Sequence, residues 1–562
     1  MKPVVECVPN FSEGRDTAII DTITQRMNTV PGAAVLHVDP GMATNRTVVT
    51  LAGEPEAVLE AAFRGIAAAA ELIDMSRHHG EHPRMGATDV CPFVPISGVS
   101  MEEAAALARR LGERVGTQLG IPVYLYEAAQ TDAARRRLPD IREGEYEGLE
   151  RKLADPRWKP DFGPARFSAK SGATVIGARD FLVAYNVNLN TTSTRRANAV
   201  AFDVREAGRP QREGGSLTGK VLTGADGAPL TLPGTLKAVK GIGWFIDEYG
   251  VAQVSMNLTD LSVTPIHAAF DEVDRAARER GMRVTGSEIV GLVPLKALLD
   301  AGRHYLHRQQ RSLGVSDREL IHIAVRSLGL DEFSPFVPEE RVIEYKLRDP
   351  ADRRLVTMPL EDFVIETASE SPAPGGGSVS AAVGAMAASL ATMVANLSSH
   401  KRGWDERWEK FSTWAERGQA IQAELLRLVD ADTRAFDAVL AAMQLPKETQ
   451  AEKDARRATM DAAIVAAAQV PFSVMQQSMK VFDIAEAMAE TGLPASVSDA
   501  GVAACCARTA VRGAWLNVKI NAGTLKDRSL VQPMLDDGTK LVAEADRREA
   551  EILALVEGKI KS

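Results

Sequence analysis

The chain has 562 residues, too many for a single core at roughly 150 residues per domain, so several domains are expected. Lys and Arg number 66 against 75 Asp and Glu, a net charge of −9 that leaves no cationic surplus for a nucleic-acid backbone or an anionic membrane. With 45% apolar and 25% charged residues, extended disorder and collagen-like repeats are excluded, and 5% aromatics leave little for a base-stacking platform.

The N-terminal MKPVVECVPNFSEG lacks the apolar run of a secretory signal, so the mature chain is expected to start near Met1. Strands are predicted at Val4–Val8, at Ala34–Val38 as a buried strand, and at Val123–Tyr126. Ala-rich helices are predicted at Ala57–Ile73 and Met101–Leu119. Asp39-Pro40-Gly41 reads as a turn directly after its strand. After the proline-punctuated loop Pro156–Pro164, Thr174–Val187 reads as a fresh strand-rich start, which puts a sub-domain break near Arg179–Leu182. Pro210–Pro233, with Gly-Gly, Ala-Asp-Gly and Pro-Gly turn signals, reads as a surface excursion carrying one hairpin.

Beyond Pro350 the strand signals vanish, and Ala/Leu/Glu-rich helices broken at Pro446, Pro471 and Pro494 indicate an all-helical bundle. The charge-free stretch Ser371–Ser399 is long enough to span a bilayer. Its Ala, Gly and Ser content favours a tightly packed buried helix instead. The expected organisation is multidomain, α+β and then all-α: sub-domains at 1–181 and 182–346, a charged linker at 347–355, and a helical bundle at 356–562. Four cysteines, Cys7, Cys91, Cys505 and Cys506, are too few and too poorly spaced for a disulfide framework or a zinc site, and fit a reducing compartment.

The densest run of reactive residues is His78-His79-Gly80-Glu81-His82-Pro83-Arg84-Met85-Gly86. A metal would need His78 and His82 on one helix face, and Gly80 and Pro83 oppose a helix there. A second reading has the histidines capping the Leu72–Arg77 helix and facing solvent. His82, in a stiff Gly- and Pro-shaped loop beside Glu81 and Arg84, is the acid–base candidate. Asp39, at a strand end before Asn45-Arg46-Thr47, is either a turn former or a working carboxylate. Asp161-Phe162-Gly163-Pro164, then Gly172-Ala173-Thr174 leading to Gly177-Ala178-Arg179, reads as a loop with turns at both ends and basic residues Arg166 and Lys170, of the kind that closes over a flat polar ligand.

In the second half, Pro372-Ala373-Pro374-Gly375-Gly376-Gly377-Ser378 runs into a helix. Its backbone N–H groups either face an anion or merely join linker to helix. It is not a P-loop, because no Lys-Ser/Thr follows. In the helix Ile421–Met443 the stripe Leu425, Val429, Phe436, Val439, Met443 places Asp432 among apolar residues, while Asp430 and Asp437 fall off it as solvated charges. A carboxyl sunk in such a stripe is expected to have its pKa raised toward neutrality, which suits proton transfer. Asp499, Asn517 and Asn521 are its candidate polar partners.

VECVPNFSEG at 5–14, DMSRHHGEHPRMGATDVCPFVP at 74–95, KPDFGP at 159–164, KGIGWFIDE at 240–248 and VGLVPLKALLD at 290–300 resemble glutamate formimidoyltransferases. SPAPGGGSVSAA at 371–382 and LVDADTRAF at 428–436 resemble formimidoyltetrahydrofolate cyclodeaminases. In this order on one chain they resemble the bifunctional formimidoyltransferase-cyclodeaminase family, whose animal members have a shorter 210–233 excursion.

The resemblance implies two α/β sandwich sub-domains with folate between them, then a helical bundle working across a subunit interface of a cytoplasmic homo-oligomer. It implies transfer of the formimino group from N-formimidoyl-L-glutamate to tetrahydrofolate. Cyclisation to 5,10-methenyltetrahydrofolate follows, with loss of ammonia. By resemblance His82 is the transferase acid–base residue with Asp39 beside it, and Asp432 is the cyclodeaminase carboxylate. Folate contacts fall on Gly163, Pro164, Ala165, Arg166, Phe167, Ser168, Ala169, Lys170, Ser171 and Gly172, and on Gly234, Thr235 and Leu236. Arg46 and Arg84, with Lys170, are candidates for substrate carboxylates. No metal, nucleic acid or membrane is expected. The alternatives are a formyl donor, a methenyltetrahydrofolate cyclohydrolase, or one half serving as a non-catalytic folate-binding or assembly module.

Overall fold

The structure is a computed structural model, and it describes residues 3–560 apart from 43, 81–82, 216–218, 225–226, 349–352 and 372. The chain is multidomain, with mixed sheets and a C-terminal helical region. It forms two compact units, residues 1–301 with 324–347 and residues 302–323 with 348–562.

The first unit begins with a seven-stranded sheet. Its strands are β1 (Val4–Cys7), β2 (Asn10–Phe11), β3 (Ala33–Gly41), β4 (Arg46–Gly53), β5 (Thr88–Ser97), β6 (Val123–Glu127) and β7 (Thr174–Ala178). β3 pairs with β4, and β4 pairs with β1 and β2, which together fill one lane between β4 and β5. β7 and then β6 follow in parallel. One face buries Val5, Cys7, Val49, Leu51, Cys91 and Phe93 against α1 (Thr17–Asn28), α2 (Pro55–Leu72) and α3 (Met101–Arg114). Each strand alternates its side chains between two faces, and both faces are used. The other packs Val90, Val175, Tyr124 and Tyr126 on the short helices Leu138–Arg142 and Leu149–Ala154.

Two sequence expectations change here. β3 is not a buried strand ended by a turn at Asp39. It is an edge strand, half-exposed, whose ladder continues through Asp39↔Val48 to Gly41↔Arg46. The pairing continues because Pro40 needs no N–H donor on an edge. Thr174–Ala178 completes the first sheet, and the second sheet starts only at Val183.

That second sheet is antiparallel, in the order β11 (Val239–Ile246), β12 (Val251–Leu258), β8 (Val183–Leu189), β13 (Val284–Val290). It packs with α4 (Thr194–Val204) and α5 (Ile266–Glu279). The 210–233 excursion is closed at its base by β9 (Arg209–Pro210) pairing with β10 (Thr231–Leu232).

The second unit holds five long helices: α6 (Gly376–Ser399), α7 (Trp408–Met443), α8 (Gln450–Thr491), α9 (Val497–Thr524) and α10 (Gln532–Ile560). Both α6 and α8 are long and apolar enough to cross a membrane. In the bundle, Ala381, Ala387, Ala388, Ala391, Val394 and Ala395 of α6 are buried, and small side chains let its neighbours approach closely.

Pro471 does not break the bundle as expected but lies inside α8. A proline in mid-helix leaves the carbonyl four residues earlier without its partner. Here that carbonyl, Ala467, accepts a 2.7 Å hydrogen bond from Asn521 Nδ2 of α9. Asn521 is therefore committed to α8 and is not a partner of Asp432.

Candidate active sites

In the first sub-domain, the turn between β3 and β4 and the histidine-rich loop are tied through one residue, Asn45. Its side chain accepts from Gly14 N (3.0 Å) and donates to the His79 carbonyl (3.1 Å), while its own carbonyl meets His78 Nε2 at 2.8 Å. Asn45 sits at φ 48°, a left-handed conformation that Asn tolerates better than most side chains. The sequence shows Asn45 only as the start of the run after Asp39, with no role of its own, although an Asn between a Pro-Gly pair and a strand is a turn signal.

His78 does cap the short helix Met75–Arg77, its N–H bonding to Met75 O at 3.2 Å, but it is buried and does not face solvent. Arg84 Nε donates to its Nδ1 at 3.1 Å, so the ring is neutral with Nε2–H donating to Asn45. Burial first, then the Arg84 cation, hold its pKa below the usual histidine value against the opposing Asn45 carbonyl.

On the loop's other side, Ala87 N and Ala173 N bond to Ser171 O (2.9 Å) and Met85 O (3.0 Å), and Met75 N bonds to Lys170 O (3.0 Å). The end of the 163–172 run is thus laced to the loop. Lys170 Nζ is held by the Glu71 carbonyl at 2.7 Å, and Tyr146 packs on Phe167 while donating to Ala169 O. Arg166 and residues 163–165 are exposed. His82 and Glu81 fall outside the described residues.

The two arginines expected to meet substrate carboxylates differ. Arg84 is buried and engaged, at 2.7 Å by Glu147 and 3.5 Å by Glu145 as well as by His78. Arg46 has a buried Nε with no partner, and burial lowers its pKa while Asp89 and Asp39 act in the opposite sense. Asp39 is exposed on β3 within electrostatic reach of that guanidinium. Asp89 accepts from Met85 N (3.0 Å) and pairs with Arg142.

Gly234, Thr235 and Leu236 lie in the second sub-domain, where Thr235 N and Leu236 N bond to Asp203 O (3.0 Å) and Val204 O (2.9 Å) at the end of α4. No hydrogen bond among the described residues joins them to the 163–172 run. Beside them, α4 and the excursion enclose a cavity of ≈590 Å³ whose wall includes Arg195, Arg209, Arg212, Phe202, Leu222 and Leu232. A chain through two buried amides also runs through this sheet, from Trp244 Nε1 to Gln253 Oε1 (3.0 Å), Gln253 Nε2 to Asn188 Oδ1 (2.7 Å) and Asn188 Nδ2 to Glu332 (2.6 Å). Residues so far apart in sequence carry no linear signal of it.

In the helical unit, Asp432 of α7 meets the first turn of α6. Ser378 N donates to Oδ2 at 2.9 Å and Ser378 Oγ lies 3.2 Å from the same oxygen. A Cβ on Gly377 would overlap the carboxylate, so glycine is required for this approach. The helix start does face an anion, and the anion is the protein's own carboxylate. Asn517 of α9 packs on Gly376 beside it. Burial raises the Asp432 pKa, and the two Ser378 bonds partly offset the rise.

The expected stripe is corrected in two respects. Asp430 is the deeper carboxylate, 4% exposed, accepting from Leu355 N (2.7 Å) and Val356 N (3.2 Å). It therefore caps backbone and is not a solvated charge. Phe436 and Met443 are 38% and 51% exposed, while Val439 and Ala442 of the same stretch are buried, Val439 against α8 and α9. Asp499 is not near Asp432 either. α6 and α9 run antiparallel, with Asn517 at the Gly376 end and Leu493 N bonded to Ser398 Oγ (2.8 Å) at the other, the end where Asp499 sits.

Among the described residues no group of three or more His, Cys, Asp or Glu is arranged to hold a metal.

Three family models match the chain: "Formiminotransferase domain, N-terminal subdomain" over residues 4–179, "Formiminotransferase domain" over 184–348 and "Formiminotransferase-cyclodeaminase" over 359–539. The chain is 43% identical over 560 residues to the formimidoyltransferase-cyclodeaminase of Sus scrofa, covering 100% of both. It is 39% identical over 306 residues to the glutamate formimidoyltransferase of Streptococcus pyogenes serotype M1, covering 54% of this chain and 94% of the relative. It is also 37% identical over 201 residues to the methenyltetrahydrofolate cyclohydrolase of Methylorubrum extorquens, covering 36% and 97%.

Proposed function

The chain belongs to the formiminotransferase-cyclodeaminase family, and on that premise we propose how its residues divide the work. The protein transfers the formimino group from N-formimidoyl-L-glutamate to tetrahydrofolate and then cyclises 5-formimidoyltetrahydrofolate to 5,10-methenyltetrahydrofolate, releasing ammonia. The observation that carries this is the match along the whole chain to relatives named for both activities. Tetrahydrofolate is the co-substrate that carries the one-carbon unit.

In the transfer, N5 of tetrahydrofolate attacks the amidine carbon and loses its proton. The bond from that carbon to the glutamate nitrogen breaks, and that nitrogen gains a proton. His82 takes and returns the proton, since an imidazole titrates near pH 6.5. His78, held neutral by Arg84 and Asn45, cannot exchange a proton without losing a bond, which supports leaving that work to His82. Arg46 holds a substrate carboxylate, supported by its buried Nε without a partner, and Asp39 orients it. Arg84 stiffens the loop. Folate lies along 163–172 and 234–236, between two α/β sandwich sub-domains, with its anionic end toward the arginine-lined cavity.

In the ring closure, N10 attacks the same carbon. Asp432 removes the N10 proton and supplies one to the departing ammonia. A carboxyl raised by burial suits both steps.

The protein is a cytoplasmic homo-oligomer in this reading. Four cysteines without a disulfide fit the compartment, and the open faces of α6 (Met386, Met393, Leu397) and α9 (Val502, Leu516, Ile520) fit subunit contacts. The test is incubation with N-formimidoylglutamate and tetrahydrofolate. Ammonia must appear with the methenyl chromophore. No ammonia would remove the deaminase claim, and a chromophore formed only when an N-formyl donor replaces N-formimidoylglutamate would favour formyl transfer or a cyclohydrolase. His82→Ala is expected to abolish transfer and spare ring closure of supplied 5-formimidoyltetrahydrofolate, and Asp432→Asn the reverse.

A further inference from the structure

A carboxyl that both takes and gives a proton needs surroundings that accommodate its charged and its neutral form. At Asp432 the group that can do this is Ser378, 0% exposed and the third residue of α6. Its backbone N–H donates to Asp432 Oδ2 at 2.9 Å. Its hydroxyl has a single hydrogen but faces two acceptors, the Val429 carbonyl at 2.8 Å and Asp432 Oδ2 at 3.2 Å, one turn apart on α7. Thr433 Oγ1 lies 3.4 Å from Ser378 Oγ, and either of these two hydroxyls can be the donor in that longer contact.

Charge decides between the two acceptors. An ionised carboxylate attracts a donor more strongly than a neutral carbonyl does, so the hydrogen turns to Oδ2 when Asp432 is charged. Once Asp432 is protonated, Oδ2 is a weak acceptor already served by the backbone N–H, and the shorter Val429 contact wins. The proton from the substrate then resides on Oδ1, the oxygen that Ser378 does not hold.

We propose that the Ser378 hydroxyl is a positioning rotor for ring closure. It donates to Asp432 while the carboxylate awaits the N10 proton and swings to the Val429 carbonyl while Asp432 holds that proton for the leaving ammonia. One hydroxyl rotation thus replaces the reorganisation that water would otherwise supply, in a site where a burial-raised carboxyl has few other partners. The inference rests on Asp432 being the ring-closing residue.

The test is the pH profile of ring closure with supplied 5-formimidoyltetrahydrofolate in the full chain, comparing wild type, Ser378→Ala, Ser378→Thr and Asp432→Asn. Removing the hydroxyl withdraws one bond from the charged form, so in Ser378→Ala the governing ionisation is expected to move up by about one pH unit. Its kcat is expected to fall about tenfold at an unchanged KM. Ser378→Thr keeps a hydroxyl and is expected to keep the wild-type ionisation even if kcat drops. Transfer activity in the same preparations reports that each variant is folded. A Ser378→Ala profile that is lowered at all pH values without shifting, or is unchanged, overturns the rotor while Asp432→Asn remains inactive. So does a shift of equal size in Ser378→Thr. Ring closure persisting in Asp432→Asn would overturn the assignment of Asp432, and the rotor with it.

Discussion

Asp430 and Asp432 stand two residues apart on α7 with opposite surroundings. Asp430 is held by two backbone N–H groups at 2.7 and 3.2 Å, whereas Asp432 keeps one oxygen uncommitted. Helical period alone placed Asp432 inward, as found, but left Asp430 in solvent. It knows which residues share a face but not that the backbone at 355–356 comes to meet Asp430. Burial raises the Asp432 pKa, so its contribution to stability is complete below the ordinary carboxylate value and is lost as pH rises through the raised one. Asp432→Asn is therefore expected to unfold at an equal or higher temperature than wild type near pH 8, with the difference vanishing near pH 4, as thermal scans across pH would show. Glu6, buried in β1, gives a stronger case. Burial lifts its pKa to about 8 against the pull of Arg179. Its stabilising contribution is present below about 4.5 and lost through about 8, so Glu6→Gln is expected to raise the melting temperature at pH 8.5 and leave it unchanged at pH 4.5.

Element by element, the contacts that place the second site are made between helices. Proline spacing predicted a break at Pro471, and the unbroken 42-residue α8 exists because Asn521 of α9 serves the carbonyl that the proline abandons. Asn521→Ala is expected to destabilise the helical unit by about 1–3 kcal/mol, the penalty of a buried carbonyl without a partner. Adding Pro471→Ala should recover most of the loss by restoring the in-helix N–H, and denaturant melts of both variants and the pair would show the coupling. Gly377 makes the same point at the meeting of α6 and α7. A methyl there would strike the Asp432 carboxylate, so Gly377→Ala is expected to lower ring closure at least tenfold and leave transfer intact, in separate assays of each step.

At the level of the molecule, the exposed stripes on α6 and α9 bear on assembly. Leu516 and Ile520 are 61% and 68% exposed, one turn apart on α9. If the proposed homo-oligomer is held by these faces, replacing both with Glu reduces the mass measured by light scattering, and an unchanged mass overturns that reading of the assembly. The same preparation assayed for ring closure shows whether that site needs the contact.

Much was legible from residues alone. The change from mixed α/β to helical near Pro350 follows from local periodicity and proline placement, which are written in consecutive residues. The His78–Gly86 loop and Asp432 could be named as candidates because reactive side chains there lie in Gly/Pro-rich or apolar company. What only tertiary structure decided is which polar groups already have partners. Asn45 joins residue 14 to residues 78 and 79, Arg84 is engaged by Glu147, Arg46 is left with an open donor, and Ser378 faces Asp432 across 54 positions. Sequence specifies side-chain chemistry and local period. Hydrogen bonds and desolvation depend on distances between residues far apart in the chain, and those exist only once it has folded.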